Sequence, residues 1–169
     1  MSFLFLSAAL ASPKLCRDLE QSKDQFDGLV VSRIERSGYS LTLDDQGRAW
    51  LDMVLYESNV SPRALQPGHE LLLKTDNGTK VTLYNVARVD PSARAIATEY
   101  TVSVSTTWPT HYALDAGAIH SLAQSTPALL RFTIDSEHTL ELPRRYAEQM
   151  QRDFACLAMT LTEQAESSE

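Results

Sequence analysis

The sequence predicts an α+β domain: a mainly antiparallel sheet of hairpins, either open or curled into a partial barrel, with a short helix and a C-terminal amphipathic helix packed on it. Apolar and polar residues alternate along most of residues 29–142, and turn-forming residues divide that stretch into short runs. After Pro143 the apolar period changes to that of a helix. Strands and crossover helices do not alternate, which argues against a parallel sheet.

The first predicted strands are separated by two turns. Residues 29–43 contain two strands joined at Ser37-Gly38, and the quartet 44–47 turns the chain into a third strand. Asp44 and Asp45 also offer two adjacent carboxylates, but an aspartate in a tight turn typically binds its own backbone. The spacing of an EF-hand is absent. We therefore interpret the pair as turn-forming residues rather than as a calcium site or an acid–base pair.

The clearest local signal is a hairpin over residues 69–89. Asn77-Gly78 lies at its centre, and this dipeptide tolerates the two positive φ angles of a type I′ turn. The flanking strands then place two pairs of apolar residues opposite each other: Leu71 and Leu73 on one strand, Val81 and Leu83 on the other.

The next stretch predicts one strand and one helix. Residues 95–106 are rich in β-branched side chains and predict a strand that Trp108-Pro109 is expected to end. A short helix then follows and finishes near Ser125, with Asp115 as its N-cap.

A hairpin and a helix close the chain. Residues 130–142 alternate around a turn at 135–138, which predicts the hairpin. Beyond it, five apolar side chains recur at helical spacing and form one stripe: Tyr146, Met150, Phe154, Leu157 and Leu161. Such a helix needs a surface to cover, so we expect it to pack on the sheet. Residues 164–169 are polar and are expected to form a frayed tail.

The N-terminal residues predict export. Residues 1–11 contain a short apolar block and end in Ala9-Leu10-Ala11, the small-x-small pattern that precedes a signal-peptidase site. No Lys or Arg precedes the block, so a strand or core segment in a cytoplasmic protein is the alternative. A single domain is expected over residues 12–163, beginning with a surface helix or a frayed stretch that ends before Gly28.

The two cysteines, Cys16 and Cys156, agree with export. In an oxidising compartment they are expected to form a disulfide, which would stabilise the fold by up to about 5 kcal/mol in the chain-entropy model. Two buried thiols are the alternative. Neither a Cys-x-x-Cys motif nor a zinc spacing occurs, so we predict no metal and no cofactor.

Charge and hydropathy exclude two classes of protein. Fifteen basic and twenty-two acidic side chains give a net charge of −7, which is the opposite of the basic footprint of nucleic-acid binding. No apolar run approaches the roughly 18 residues that a transmembrane helix needs. We therefore expect no nucleic-acid partner and no integral membrane span.

Catalytic motifs are not recognisable. The chain lacks a P-loop, a dinucleotide-binding fingerprint and a Gly-x-Ser-x-Gly elbow. The four histidines lack the spacing of a local metal site, and His69 and His138 are expected to be solvated. A hydrolase remains an alternative if distant residues assemble a triad around His111 or His120.

Two small sets of residues are predicted to contact a partner. Three side chains are interpreted as exposed in a loop over residues 106–113: Trp108, His111 and Tyr112. Three cations form a second candidate contact, for an anion or a partner protein, with a salt-bridged rim as the alternative: Arg131, Arg144 and Arg145.

These observations favour a periplasmic or secreted, non-catalytic domain that binds a protein or an envelope component. The hydrolase is the first alternative. If the N-terminal block is not a signal, the second alternative is a cytoplasmic, immunity-like protein whose acidic charge suits a basic partner.

Overall fold

The computed structural model describes residues 15–23, 28–59, 62–97 and 99–167, except the side chain of Ile96. The predicted export signal, residues 1–11, lies outside these ranges. The described elements are, in chain order, β1 (Glu20–Lys23), β2 (Val30–Arg36), β3 (Tyr39–Asp44), β4 (Ala49–Ser58), β5 (Glu70–Thr75), β6 (Lys80–Tyr84), β7 (Ser92–Ala97), β8 (Val102–Leu114), α1 (Ala116–Gln124), β9 (Pro127–Thr133), β10 (Glu137–Glu141) and α2 (Arg144–Ser167).

The strands form two antiparallel sheets. One has the order β1-β2-β3-β4-β8-β7 and the other the order β10-β9-β5-β6, and within the described residues neither closes into a barrel. At the centre of the larger sheet, all ten residues of β4 pair with residues 105–114 of β8. The predicted α+β fold class is confirmed, in its open-sheet form.

One cluster of buried apolar side chains joins both sheets to both helices. Its largest fully buried members are Trp108, Tyr112 and Phe154. On α2 the middle of the predicted stripe is fully buried, while Tyr146 and Leu161 near its ends are partly buried. The closing helix therefore packs on the core, as its periodicity predicts.

The start of α1 agrees with the sequence prediction, whereas the end of α2 does not. Asp115 caps α1 as predicted, because its Oδ1 accepts a hydrogen bond from the backbone N–H of Ala118 at 2.6 Å. The expected frayed tail is corrected: α2 continues through Gln164 to Ser167. Neither α1 nor α2 has the combination of length and apolar character that a membrane span requires.

The strand predicted over residues 95–106 is corrected to a hairpin of β7 and β8. β8 also continues through Trp108-Pro109 instead of ending there. His111 directs its N–H and C=O away from β4, towards Asn85 and Val86, and Pro109, two residues earlier, faces the same side. β7 stops pairing at Thr107, so the missing N–H of Pro109 interrupts no ladder.

The first described segment is not the surface helix expected over residues 12–26. Its residues 20–23 form β1, which pairs with β2. Cys16 forms a disulfide with Cys156 of α2, as predicted, and Leu15 and Leu19 pack against the core. Pairing with the edge of β2 and the disulfide thus make residues 20–23 a strand, although the spacing of their apolar neighbours suggested a helix.

The hairpin at Asn77-Gly78 keeps its predicted register but not its predicted turn. Leu71 pairs with Leu83 and Leu73 with Val81. Gly78 has a φ of 88°, whereas Asn77 is not among the residues with positive φ, so the turn is not type I′. The Asn77 side chain instead binds Ser125 and accepts the N–H of Thr79, which fixes a three-residue loop.

The turn after β3 confirms the structural role of Asp44. Its buried carboxylate accepts the backbone N–H groups of Gln46, at 3.0 Å, and Arg48, at 2.8 Å. Arg48 also donates its Nε to the same side chain at 2.6 Å. The carboxylate of Asp44 therefore stabilises the turn that follows β3.

Candidate functional site

Two adjoining depressions lie where β4 extends past β3. The first, here called the apolar groove, has a volume of about 510 Å³ and is lined by both sheets and the start of α2. The second, here called the polar cleft, has a volume of about 330 Å³ and lies on the outer face of the larger sheet. The two depressions share Gly38, Met53 and Val54.

The apolar groove exists because β4 is longer than β3. β3 begins at Tyr39, opposite Met53, and the N–H of Val54 donates to the carbonyl of Gly38 at 3.4 Å. Beyond Val54, residues 55–58 pair with β8 on one side, but no described strand pairs with them on the other. This part of β4 is a local sheet edge.

Leu140 of β10 forms the opposite wall of the groove. It pairs with Leu130, which pairs with Leu73, so the three side chains share one face of the smaller sheet. Leu73 is 0% exposed and Leu130 3%, but Leu140 is 50% exposed. β10 is also an edge strand, bonded to β9 alone among the described strands. The core face of this sheet is therefore open to solvent at the groove.

A contact between a histidine and a carboxylate joins the two sheets beyond the groove. His138 Nε2 is 2.7 Å from Glu57 Oε1, and both side chains are largely buried. The imidazole stacks on Phe132, with ring centroids 5.3 Å apart. The prediction of a solvated His138 in a turn is therefore wrong: the residue lies in β10, on the same face as Phe132. His69 also contacts the protein, through Nε2 and the carbonyl of Thr133 at 2.5 Å.

The polar cleft contains a row of side chains that crosses four strands, β2, β3, β4 and β8. Asp52 uses Oδ1 to contact Nδ1 of His111, and its Oδ2 accepts the hydroxyl of Ser40 at 3.1 Å. Arg33 donates from Nη2 to that hydroxyl oxygen at 3.3 Å. These residues meet because Ser40 pairs with Asp52 and Asp52 pairs with His111.

The contact with Asp52 orients His111. A carboxylate at Nδ1 favours the proton on that nitrogen, which leaves the lone pair of Nε2 available. Trp50 stacks against the imidazole with centroids 5.8 Å apart, and the side chain of His111 is 40% exposed. In the ranges that the structure describes, no hydroxyl or thiol hydrogen-bonds to Nε2. Ser40 binds Asp52 instead, so the described residues do not assemble a Ser–His–Asp triad around His111.

Asp52 and Ser40 were not predicted as partners of His111. The alternation of residues 50–56 placed Asp52 on the more polar face of its strand, which was the available signal. The pairing of β4 with β8 was hidden because β8 was expected to end at Trp108. His120, the other proposed base, is exposed on α1 and contacts Gln124 at 2.8 Å.

The predicted aromatic contacts require correction. The 106–113 segment is part of β8, and Trp108 and Tyr112 are both 0% exposed. The indole N–H of Trp108 donates to the carbonyl of Arg63 at 2.7 Å, and burial raises the pKa of Tyr112 to about 12. Both side chains are core residues, and His111 is the member of this predicted set that reaches the surface.

The predicted cations lie on the surface with separate partners. Arg131 is 3.4 Å from Glu137, and Arg144 is 2.7 Å from Glu148, as in a salt-bridged rim. Arg145 is exposed beside Arg144. Among the described residues, no hydrogen bond or ion pair joins Arg131 to the other two arginines.

The chemistry of the site is thus an apolar groove beside a histidine–carboxylate pair. Within residues 15–23, 28–59, 62–97 and 99–167, no three His, Cys, Asp or Glu side chains are grouped so that they could hold a metal ion. In comparisons of this chain with protein-family models, curated proteins and solved structures, nothing matched.

Proposed function

We propose that this chain is an exported, non-catalytic binding domain that holds an apolar segment of a partner protein in the apolar groove. The observation that carries the proposal is the half-exposed Leu140, on the same face as the buried Leu130. Val54 and Tyr56 on the other side of the groove are 53% and 55% exposed. Removing apolar surface from water gains about 25 cal/mol per Å², so a segment that covers these side chains binds favourably.

A protein segment suits the groove better than another envelope component. Apolar side chains line the groove, and the two strands beside it, β10 and residues 55–58 of β4, each have an edge that no described strand pairs with. Strand edges offer hydrogen-bond donors and acceptors that an acyl chain cannot use. We therefore assign the groove to a polypeptide.

The proposed location is the periplasm or the extracellular space. The disulfide between Cys16 and Cys156 suits an oxidising compartment, and residues 1–11 resemble an export signal in composition. N-terminal sequencing of the protein from its native host tests the location. We expect the mature chain to begin at Ser12, and an intact Met1 would contradict export.

A photo-crosslinking experiment tests binding at the groove. A photoreactive amino acid is placed at position 140 and, as a matched control, at position 139, whose side chain points to the other face of the same strand. After irradiation in the native compartment, we expect position 140 to yield one partner adduct and position 139 to yield none. Equal adducts from both positions, or no adduct from position 140, would contradict the proposal.

The pair formed by His111 and Asp52 favours a second candidate, a hydrolase. A histidine oriented in this way is able to act as a general base towards a water molecule, an effect that contributes about 10²–10⁴-fold to a rate. We would then expect hydrolysis of p-nitrophenyl esters that His111→Gln lowers by about that factor. The control His120→Gln should leave the rate unchanged. Equal rates for both variants would exclude this role.

A further inference from the structure

We infer that the partner segment binds as an added β-strand between residues 55–58 of β4 and the edge strand β10, and that it alternates apolar and basic side chains. This inference rests on the proposed function, because it specifies the conformation and the chemistry of the segment in the groove.

The backbone of β4 provides the first argument. Residues along a strand direct their N–H and C=O groups alternately to the two sides. Val54 donates away from β8, to Gly38, whereas Asn59 donates to Val104 of β8 at 2.7 Å. Tyr56 and Ser58 therefore direct their backbone groups towards the side where the described part of the chain supplies no strand. An edge of this kind is a template for an extended peptide.

The missing strand position accounts for the exposure of Leu140. β3 would have to begin before Tyr39 to shield this region, but the turn at Ser37-Gly38 already connects it there to β2. An added strand collinear with β3 would direct every second side chain into the groove, because strand side chains alternate between faces. Apolar side chains at those positions would cover Leu140 and the adjoining Phe132.

Charge determines the other side chains of the segment. Glu141 lines the groove and is exposed, and the whole chain carries a net charge of −7. Because opposite charges on adjacent strands attract, lysine or arginine at the outward positions complements this surface.

A synthetic peptide tests the inference directly. The probe is a capped, fluorescent octapeptide that alternates leucine and lysine, and its binding to the full chain is followed by anisotropy. Two further peptides serve as controls: one is N-methylated at alternate backbone amides, and one carries glutamate in place of lysine. We expect each control peptide to bind at least about tenfold more weakly, the equivalent of 1.4 kcal/mol.

Two protein variants locate the binding. Leu140→Lys is expected to weaken binding by about tenfold or more, whereas Thr139→Lys, on the opposite face of β10, is expected to leave it unchanged. Both positions are exposed, so the variants should unfold at the wild-type midpoint. Val54→Lys provides a second test on the β4 side if Leu140→Lys fails to fold.

The outcomes separate this inference from the proposed function. Equal binding of the N-methylated peptide would overturn strand addition and leave groove binding intact. Failure of the octapeptide to bind, together with a specific adduct at position 140, would likewise overturn only the inference. Failure of both experiments would overturn both. A dimer that Leu140→Lys dissociates, or tighter binding of a peptide of residues 1–14, would assign the groove to a second copy or to this chain's own segment and overturn the inference.

Discussion

Arg36 of β2 and Asp153 of α2 are joined by two parallel hydrogen bonds, each 2.8 Å long, from Nε and Nη2 to the two carboxylate oxygens. Tyr39 and Gln149 donate to the same carboxylate, at 2.7 Å and 2.9 Å. Burial by itself would raise the pKa of Asp153, but these hydrogen bonds and the charge of Arg36 outweigh it and lower the pKa. The cluster holds α2 against the hairpin whose turn, at Gly38, borders the apolar groove.

Removal of this carboxylate is expected to destabilise the fold strongly. Asp153→Ala leaves the guanidinium of Arg36 with Asp18, 3.0 Å away, as its remaining carboxylate, so we expect a loss of up to about 3–5 kcal/mol, the cost of breaking a buried ion pair. Urea unfolding measures the loss. The control is Arg144→Gln, which removes an exposed pair with Glu148 and should cost less than about 1 kcal/mol. Equal losses in the two variants would show that the cluster does not anchor α2.

The same carboxylate predicts a loss of stability in acid. The pKa of Asp153 is lower in the folded chain than in the unfolded chain, where an aspartate has a pKa of about 3.9. Its contribution is therefore complete above the unfolded pKa and is lost as the pH falls through the folded pKa. We expect the difference in unfolding free energy between wild type and Asp153→Asn to shrink below about pH 4. A difference that stays constant down to pH 2 would contradict the assignment.

The turn after β3 should depend on Asp44 and not on calcium. Asp44→Ala leaves two turn N–H groups without their acceptor, which costs about 1–3 kcal/mol. Asp45→Ala is the matched control, since Asp45 is exposed and accepts one backbone N–H, from Val30 at 3.1 Å. Thermal unfolding with and without calcium distinguishes the two roles. A midpoint that rises with calcium would contradict the turn assignment.

Loss of the disulfide should destabilise the domain and release its first strand. The bond closes a loop with a sequence separation of 140, for which the chain-entropy model gives an upper value of about 5 kcal/mol. We expect the double variant Cys16→Ala, Cys156→Ala to unfold at lower urea and to be cleaved by protease near residues 19–23. Reduction of the unfolded wild type should add the mass of two hydrogen atoms. Unchanged protection of β1 in the double variant would contradict its tethering role.

The sequence predicts the local elements of this fold well where one physical signal dominates. The stripe from Tyr146 to Leu161 predicts α2, and Asp115 predicts the start of α1. The hairpin at Asn77-Gly78 has its predicted register but another turn, because Ser125, distant in sequence, binds the Asn77 side chain. Spacing within a turn carries no information about such a partner.

The candidate site depends on tertiary structure and was predicted only in part. His111 was identified as a candidate base, but its contact with Asp52 depends on the pairing of two strands that are 59 residues apart at this point. The apolar groove depends on the lengths of β3 and β4, and strand ends are not set by alternation. Trp108 and Tyr112 were predicted to be exposed because Pro109 suggested a loop. β8 nevertheless continues through Pro109, since the backbone of Pro109 faces the side on which β7 has stopped pairing.

The distance between Cys16 and Cys156 along the chain has a consequence for biosynthesis. Polypeptides are synthesised from the amino end, so Cys16 is made 140 residues before Cys156. The disulfide therefore cannot form until synthesis of the chain has passed Cys156. A nascent chain stopped short of Cys156 would retain an unpaired Cys16 thiol, and alkylation of that thiol would show when the disulfide closes.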